Sequence, residues 1–126
     1  MEPQVKSRLK AIYEAAVGAA QPSLLLPKTL SISNGSLAIA GRRGKSHFAL
    51  SESVLVIGIG KGVEHTALFW EALFKERLKS GLLISRDLRY PGRSGKILSV
   101  AAGHPLPDQR SLKSTERCLS LLRSAG

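Results

Sequence analysis

The stretch "VLVIGIGKGVEHTALFWEAL", Val54 to Leu73, limits the fold more than any other part of the chain. Val54 to Ile57 is an unbroken apolar run rich in β-branched residues, the pattern of a strand buried on both faces. Two glycines and a lysine follow, and beyond them Val63, Ala67, Trp70, Leu73, Phe74 and Leu78 recur at helical spacing. A buried strand that passes through a glycine turn into a helix is a unit of layered α/β domains.

The rest of the chain extends that unit. "GLLIS" (Gly81 to Ser85) and "KILSVAA" (Lys96 to Ala102) read as further buried strands. A closing helix is expected near Asp108, whose carboxylate can cap the first turn, with Leu112, Thr115, Leu119 and Leu122 facing inward. Upstream, Val5, Leu9, Ile12, Tyr13, Ala16, Val17 and Ala20 form a helical stripe, opposite a wet face of Lys6, Arg8, Lys10 and Glu14. "QPSLLLPKTL" carries two prolines and reads as a turn or an irregular packing segment. "SLAIA" and "SHFAL", separated by "GRRGK", read as a short β-hairpin. The order predicts one Rossmann-like, three-layer α/β domain over residues 1–126, with a largely parallel sheet, an N-terminal helix and a short β-hairpin. The chain stops straight after a helix, where a doubly wound sheet would normally continue, so it looks cut short.

With 126 residues, 43% apolar and 22% charged, the chain can bury a real core and has no disordered bias. Its one cysteine, Cys118, excludes an internal disulfide framework, fits a reducing compartment and falls where packing is its expected role. No apolar run approaches the ~20 residues that span a bilayer, so no membrane is expected. "MEPQVKSRLK" lacks the apolar core of a secretory signal, and a cytoplasmic setting is expected, with a short mitochondrial leader left open. The formal charge of +10 favours anionic ligands or polyanions. From Arg77 to Lys96, six basic residues face one acid, Asp87. Nucleic acid is disfavoured, because stacking aromatics are few and no recognised motif is present.

Two segments carry candidate chemistry. Gly58, Gly60 and Lys61 stand where a strand meets a helix: glycine allows close backbone approach, the helix start presents N–H groups, and Lys61 adds a full charge. That combination suits a phosphate or carboxylate; the plainer alternative is a tight turn with its lysine in water. It is not a P-loop, and "GRRGKS" (Gly41 to Ser46) is a near miss better suited to a hairpin turn. It is not a full dinucleotide fingerprint either, because Val63 stands where the third glycine belongs, although Asp87 lies close to where a ribose-binding acid would fall. The second segment is "AAGHPLPDQ" (Ala101 to Gln109), in which Pro105 and Pro107 stiffen the chain around His104. By spacing alone it reads first as a rigid connection capped by Asp108, and second as a place for His104 to donate to a substrate oxygen or move a proton. His47 and His65 give no metal spacing with each other or with His104.

"LKAIYEAAVGAAQP", "VLVIGIGKG…GLLIS" and "AAGHPLPDQRSL", in this order, resemble the N-terminal part of the glycerate 2-kinase family, the ATP-dependent kinases related to the MOFRL proteins. The resemblance spans most of the chain, and "GHP-x-PD" after "G-x-GK" is its most specific part. It implies phosphoryl transfer from ATP to D-glycerate, giving 2-phosphoglycerate, with Mg²⁺, in an enzyme whose second domain is absent here. It implies that Lys61 is catalytic, with Gly58, Gly60, His104 and Asp108 on the substrate or phosphate side. Positioned positive charge and a fixed acceptor are what phosphoryl transfer needs. The pattern departs from the family at Ala101, usually glutamate, and at Gly62, usually alanine. The alternatives are a NAD(P)-binding domain of a hydroxypyruvate reductase-like oxidoreductase, for which "SRD" after the second strand could face a ribose phosphate, and a basic module that binds polyanions.

Overall fold

In chain order the elements are α1 (Pro3–Ala19), α2 (Pro22–Thr29), β1 (Leu30–Ser33), β2 (Ser36–Gly41), β3 (Gly44–Ala49), β4 (Val54–Ile59), a 3-10 turn (Val63–Thr66), α3 (Ala67–Phe74), a second 3-10 turn (Lys75–Arg77), β5 (Leu78–Ser85), β6 (Ile97–Ala101) and α4 (Gln109–Arg123). The computed structural model describes residues 3–86 and 95–125.

β4, β5 and β6 form a parallel sheet with β5 in the middle. Alternate residues of these strands point to opposite faces, and each face has its own core. On one face Val56, Leu83 and Ile97 pack with Ala67, Phe74 and Leu78 under α3. On the other, Leu82 and Ile84 meet Cys118 of α4, flanked by Ile57, Val100 and Leu121. Helix, sheet, helix: the three-layer α/β arrangement expected from the alternation holds. Leu83 is wholly buried, and trimming it to alanine would cost about 2–5 kcal/mol.

The second, antiparallel sheet is larger than the expected hairpin. Its two-residue turn at Arg42 and Arg43 falls where the glycines of "GRRGK" put it, with Gly41 paired to Gly44. A third strand, β1, pairs with β2 across Asn34–Gly35, both at positive φ (49° and 72°). Asn-Gly between alternating residues is a strong hairpin signal, and "SISNGSLAIA" carries it. Ile32 and Leu50 fasten this sheet to the α3-side core.

Four expectations are corrected. The two-proline segment is a helix, α2, because Pro22 occupies its first position, where a missing N–H costs nothing. The helix after the glycine turn does not run to Leu78: Lys75 turns out of it at φ 48°, and Leu78, 1% exposed, opens β5. α4 packs through Ser114, Cys118 and Leu121, while Leu112, Thr115, Leu119 and Leu122, expected inward, are exposed. α1 forms as expected, yet its stripe of Val5, Leu9, Ile12, Tyr13 and Val17 is exposed too.

Candidate functional site

Sheet register decides which loops can meet. Ile59 pairs with Ile84, and Ser85 with Ala101, so the three strands end side by side. The glycine–lysine turn after β4, Arg86 after β5 and the loop after β6 therefore leave the same edge. Open α/β sheets bind ligands outside these C-terminal strand ends.

Each glycine of the first turn has its own reason. A Cβ on Gly58 would lie 2.7 Å from Leu83 Cδ2 and 3.4 Å from Val63 Cβ, so that glycine lets the turn pack onto β5. Gly60 and Gly62 have φ of +126° and +80°, conformations that L side chains resist. The Gly60 N–H donates to the Ile84 carbonyl at 2.9 Å, so this donor is spent within the sheet. α3 does not start at the glycines either. A 3-10 turn intervenes, in which Thr66 Oγ1 donates to the Val63 carbonyl (2.6 Å) and accepts from Trp70 Nε1 (2.9 Å). The turn thus offers Lys61 as an exposed charge, while the first turn of α3 lies further along the chain.

Lys61, Gly62, Glu64, His65, Ser85 and Arg86 line a cavity of about 200 Å³ at this edge. Glu64 is 7% exposed and Ser85 5%. Glu64 Oε1 lies 3.7 Å from His65 Nε2. Glu64 Oε2 and Ser85 Oγ are buried and have no hydrogen-bond partner among the described residues. Sequence reasoning had Lys61 and passed over Glu64. The sequence gives only a hint of it: an acid three residues past the lysine, near Val63 and Ala67 of the buried pattern.

The loop after β6 is held by its own hydrogen bonds. Asp108 Oδ1 accepts from the N–H groups of Gly103 (3.2 Å), Arg110 (2.9 Å) and Ser111 (3.1 Å), and Oδ2 accepts from Arg110 Nε (2.7 Å). Ser111 Oγ accepts from the Gly103 and Asp108 N–H groups, which completes a capping box. The Arg110 guanidinium, helped by the Ser111 and Arg110 backbone donors, holds the Asp108 carboxyl below its ordinary value. A Cβ on Gly103 would lie 2.5 Å from the Leu106 carbonyl, so only glycine fits. The Gly-His-Pro-x-Pro-Asp pattern is thus a folded loop fastened to α4, with His104 exposed on it. The cavity lining includes Lys61 but not Gly58, Gly60, His104 or Asp108. Asp87 lies outside the described residues, as does much of the basic Arg77–Lys96 stretch; within that stretch Arg77 donates to the Ser51 carbonyl at 3.1 Å.

No cluster of three His, Cys, Asp or Glu side chains that could hold a metal occurs among the described residues. No helix among them is long and apolar enough to cross a membrane.

Comparison with known proteins adds to this geometry. A domain family described as a domain of unknown function, DUF4147, matches residues 8–126. The chain is 26% identical over 110 residues to a glycerate 2-kinase of Pyrococcus horikoshii, covering 87% of this chain and 23% of that protein. It is 26% identical over 134 residues to a glycerate kinase of Danio rerio, covering 96% and 26%. A putative hydroxypyruvate reductase of Agrobacterium vitis is 25% identical over 118 residues, covering 94% and 23%. The chain spans about a quarter of the length of these curated relatives. No solved structure matches it significantly.

Proposed function

Since the chain belongs to the DUF4147 domain family and is related to the glycerate kinases, we propose that it contributes an acceptor-binding edge to ATP-dependent phosphorylation of D-glycerate at the 2-position. The observation that carries this reading is the cavity at the strand ends, whose lining includes the cations Lys61 and Arg86. In it Lys61 supplies positive charge to the carboxylate or to the migrating phosphoryl group, and the Gly103–Asp108 loop holds His104 at the same sheet edge. Asp108 acts by fastening that loop, since both of its oxygens are engaged by Gly103, Arg110 and Ser111. Mg²⁺ has no three-ligand site among the described residues. In this reading it arrives with the nucleotide phosphates, as Mg²⁺ commonly does, and no step passes through it. The remaining nucleotide contacts belong to the three quarters of the relatives' length that this chain does not span.

The test joins this chain to the remaining part of a curated glycerate kinase and follows 2-phosphoglycerate by mass spectrometry. The joined protein turns over, the chain alone does not, and Lys61→Ala lowers the rate roughly a hundredfold or more. The melting temperature stays unchanged, because Lys61 is exposed. Near-wild-type turnover in Lys61→Ala would falsify the reading. The relative named a hydroxypyruvate reductase supports a second reading as an oxidoreductase; NAD(P)H oxidation with hydroxypyruvate, in place of phosphate transfer, would select it.

A further inference from the structure

The cavity beside Lys61 holds more than cations. Glu64 and Ser85 form its floor, each more than nine-tenths buried, and each leaves one oxygen without a partner among the described residues. Leaving a buried oxygen without a hydrogen bond destabilises the fold, and more so when the oxygen carries charge. Two such atoms in one small cavity indicate that something else completes them. The cavity's own charges narrow its identity. Lys61 and Arg86 call for an anionic group, whereas a carboxylate oxygen calls for a donor. A plain anion would be repelled by Glu64, and a bare cation by Lys61 and Arg86. A volume of about 200 Å³ also lies below the ~300–1,000 Å³ typical of pockets for drug-sized ligands, so the ligand is small.

We propose that Glu64 is the specificity-determining residue of this cavity: Oε2 accepts a hydrogen bond from a hydroxyl that neighbours the anionic group held by Lys61 and Arg86, with Ser85 Oγ as a second partner of that hydroxyl. The ligand class is a small hydroxy acid, and the hydroxyl is what the site reads. His65 Nε2 lies 3.7 Å from the other carboxylate oxygen, Oε1. Glu64 lies outside the three stretches that carry the resemblance. The inference rests on reading the cavity as the acceptor site.

Calorimetric titration of the chain with D-glycerate, D-lactate and propanoate, which carry two, one and no hydroxyls, tests it. Wild type binds the hydroxy acids roughly ten- to a hundredfold more tightly than propanoate, the worth of a hydrogen bond to a charged group. Glu64→Leu erases that preference while propanoate binding stays the same or improves, and Lys61→Ala weakens all three together. Ser85→Ala and Glu64→Gln reduce the preference part-way, and they carry the test should the leucine variant fail to fold by circular dichroism. Equal binding of propanoate and D-glycerate by wild type overturns the proposal. So does an undiminished preference in the folded Glu64 variants, or no binding by a folded wild type, since every group invoked lies in this chain. The kinase reading is judged separately: a Glu64-dependent preference without phosphoryl transfer in the joined protein sinks that reading alone. Phosphoryl transfer with a Glu64-independent preference sinks this proposal alone.

Discussion

Asp108, the last residue of the Gly-His-Pro-x-Pro-Asp pattern, has a structural task that can be read directly. Its carboxylate collects three backbone N–H groups and the Arg110 guanidinium, so it terminates β6's exit loop and starts α4 at once. Its pKa is held below the ordinary 3.8, first by Arg110. A depressed folded value contributes stability above the unfolded pKa, and that contribution is lost as the pH falls through the folded value. Asp108→Ala should therefore lower the melting temperature by about 5 °C near neutral pH. The gap should begin to narrow as the pH falls past the unfolded carboxyl's value and close below the lowered folded one, where the wild-type carboxyl also takes up its proton. Thermal melts of both proteins from pH 7 to pH 2.5 check this; a gap constant across the range would mean that the carboxylate's charge is irrelevant to the cap. The cap was legible in the sequence, because Asp before a polar-apolar helical run has few other local uses. Glu64 was not. Nothing in a linear pattern distinguishes an acid turned into a cavity from one on a wet helix face; only Val63 and Ala67 beside it gave a hint.

At the scale of elements, the strands were the easiest to read and the helix faces the hardest. β4, β5 and β6 declare themselves because strands buried on both sides need continuous apolar residues. α4 misleads, because its larger apolar side chains, Leu112, Leu119 and Leu122, do not decide its rotation. The capping box fixes Ser111 toward Gly103, and Ser114 Oγ donates to the Ala101 carbonyl at 3.4 Å. Both serines stand on the sheet side, which brings Cys118 onto Leu82 and Ile84. Small residues there allow close approach, and hydrophobicity alone does not report that. Leu112→Ala and Leu119→Ala should each change stability by no more than about 0.5 kcal/mol. Cys118→Phe should cost about 1–3 kcal/mol through overpacking. Denaturant melts of the three variants decide it, and larger losses at the leucines than at Cys118 would restore the leucine face as the buried one.

At the scale of the whole molecule, α1 and α4 each present apolar side chains to water. Ile12 and Tyr13 of α1 are 66% and 67% exposed, and Leu112 of α4 is 59% exposed, each within a stripe of similar residues. Stripes of this kind favour association in water. The chain alone should brighten a hydrophobic dye and sediment faster as its concentration rises, and Leu9→Glu with Ile12→Glu should reduce both effects. A dye-silent monomer at all concentrations would show that these stripes are harmless. The parallel sheet has a quieter consequence. Among the described strands of that sheet, β5 alone has a neighbour on each flank, and its Leu78, Leu82 and Leu83 are no more than 1% exposed. Local opening starts where hydrogen bonds and contacts are fewest, so β5 should be the last strand to let go. Ser85 is its final residue, and Gly60 is tied to it through the Ile84 carbonyl. The two ends of the cavity thus keep different clocks: its floor yields only when the sheet itself opens, while the Lys61 side chain, out in water, can rearrange in nanoseconds or less.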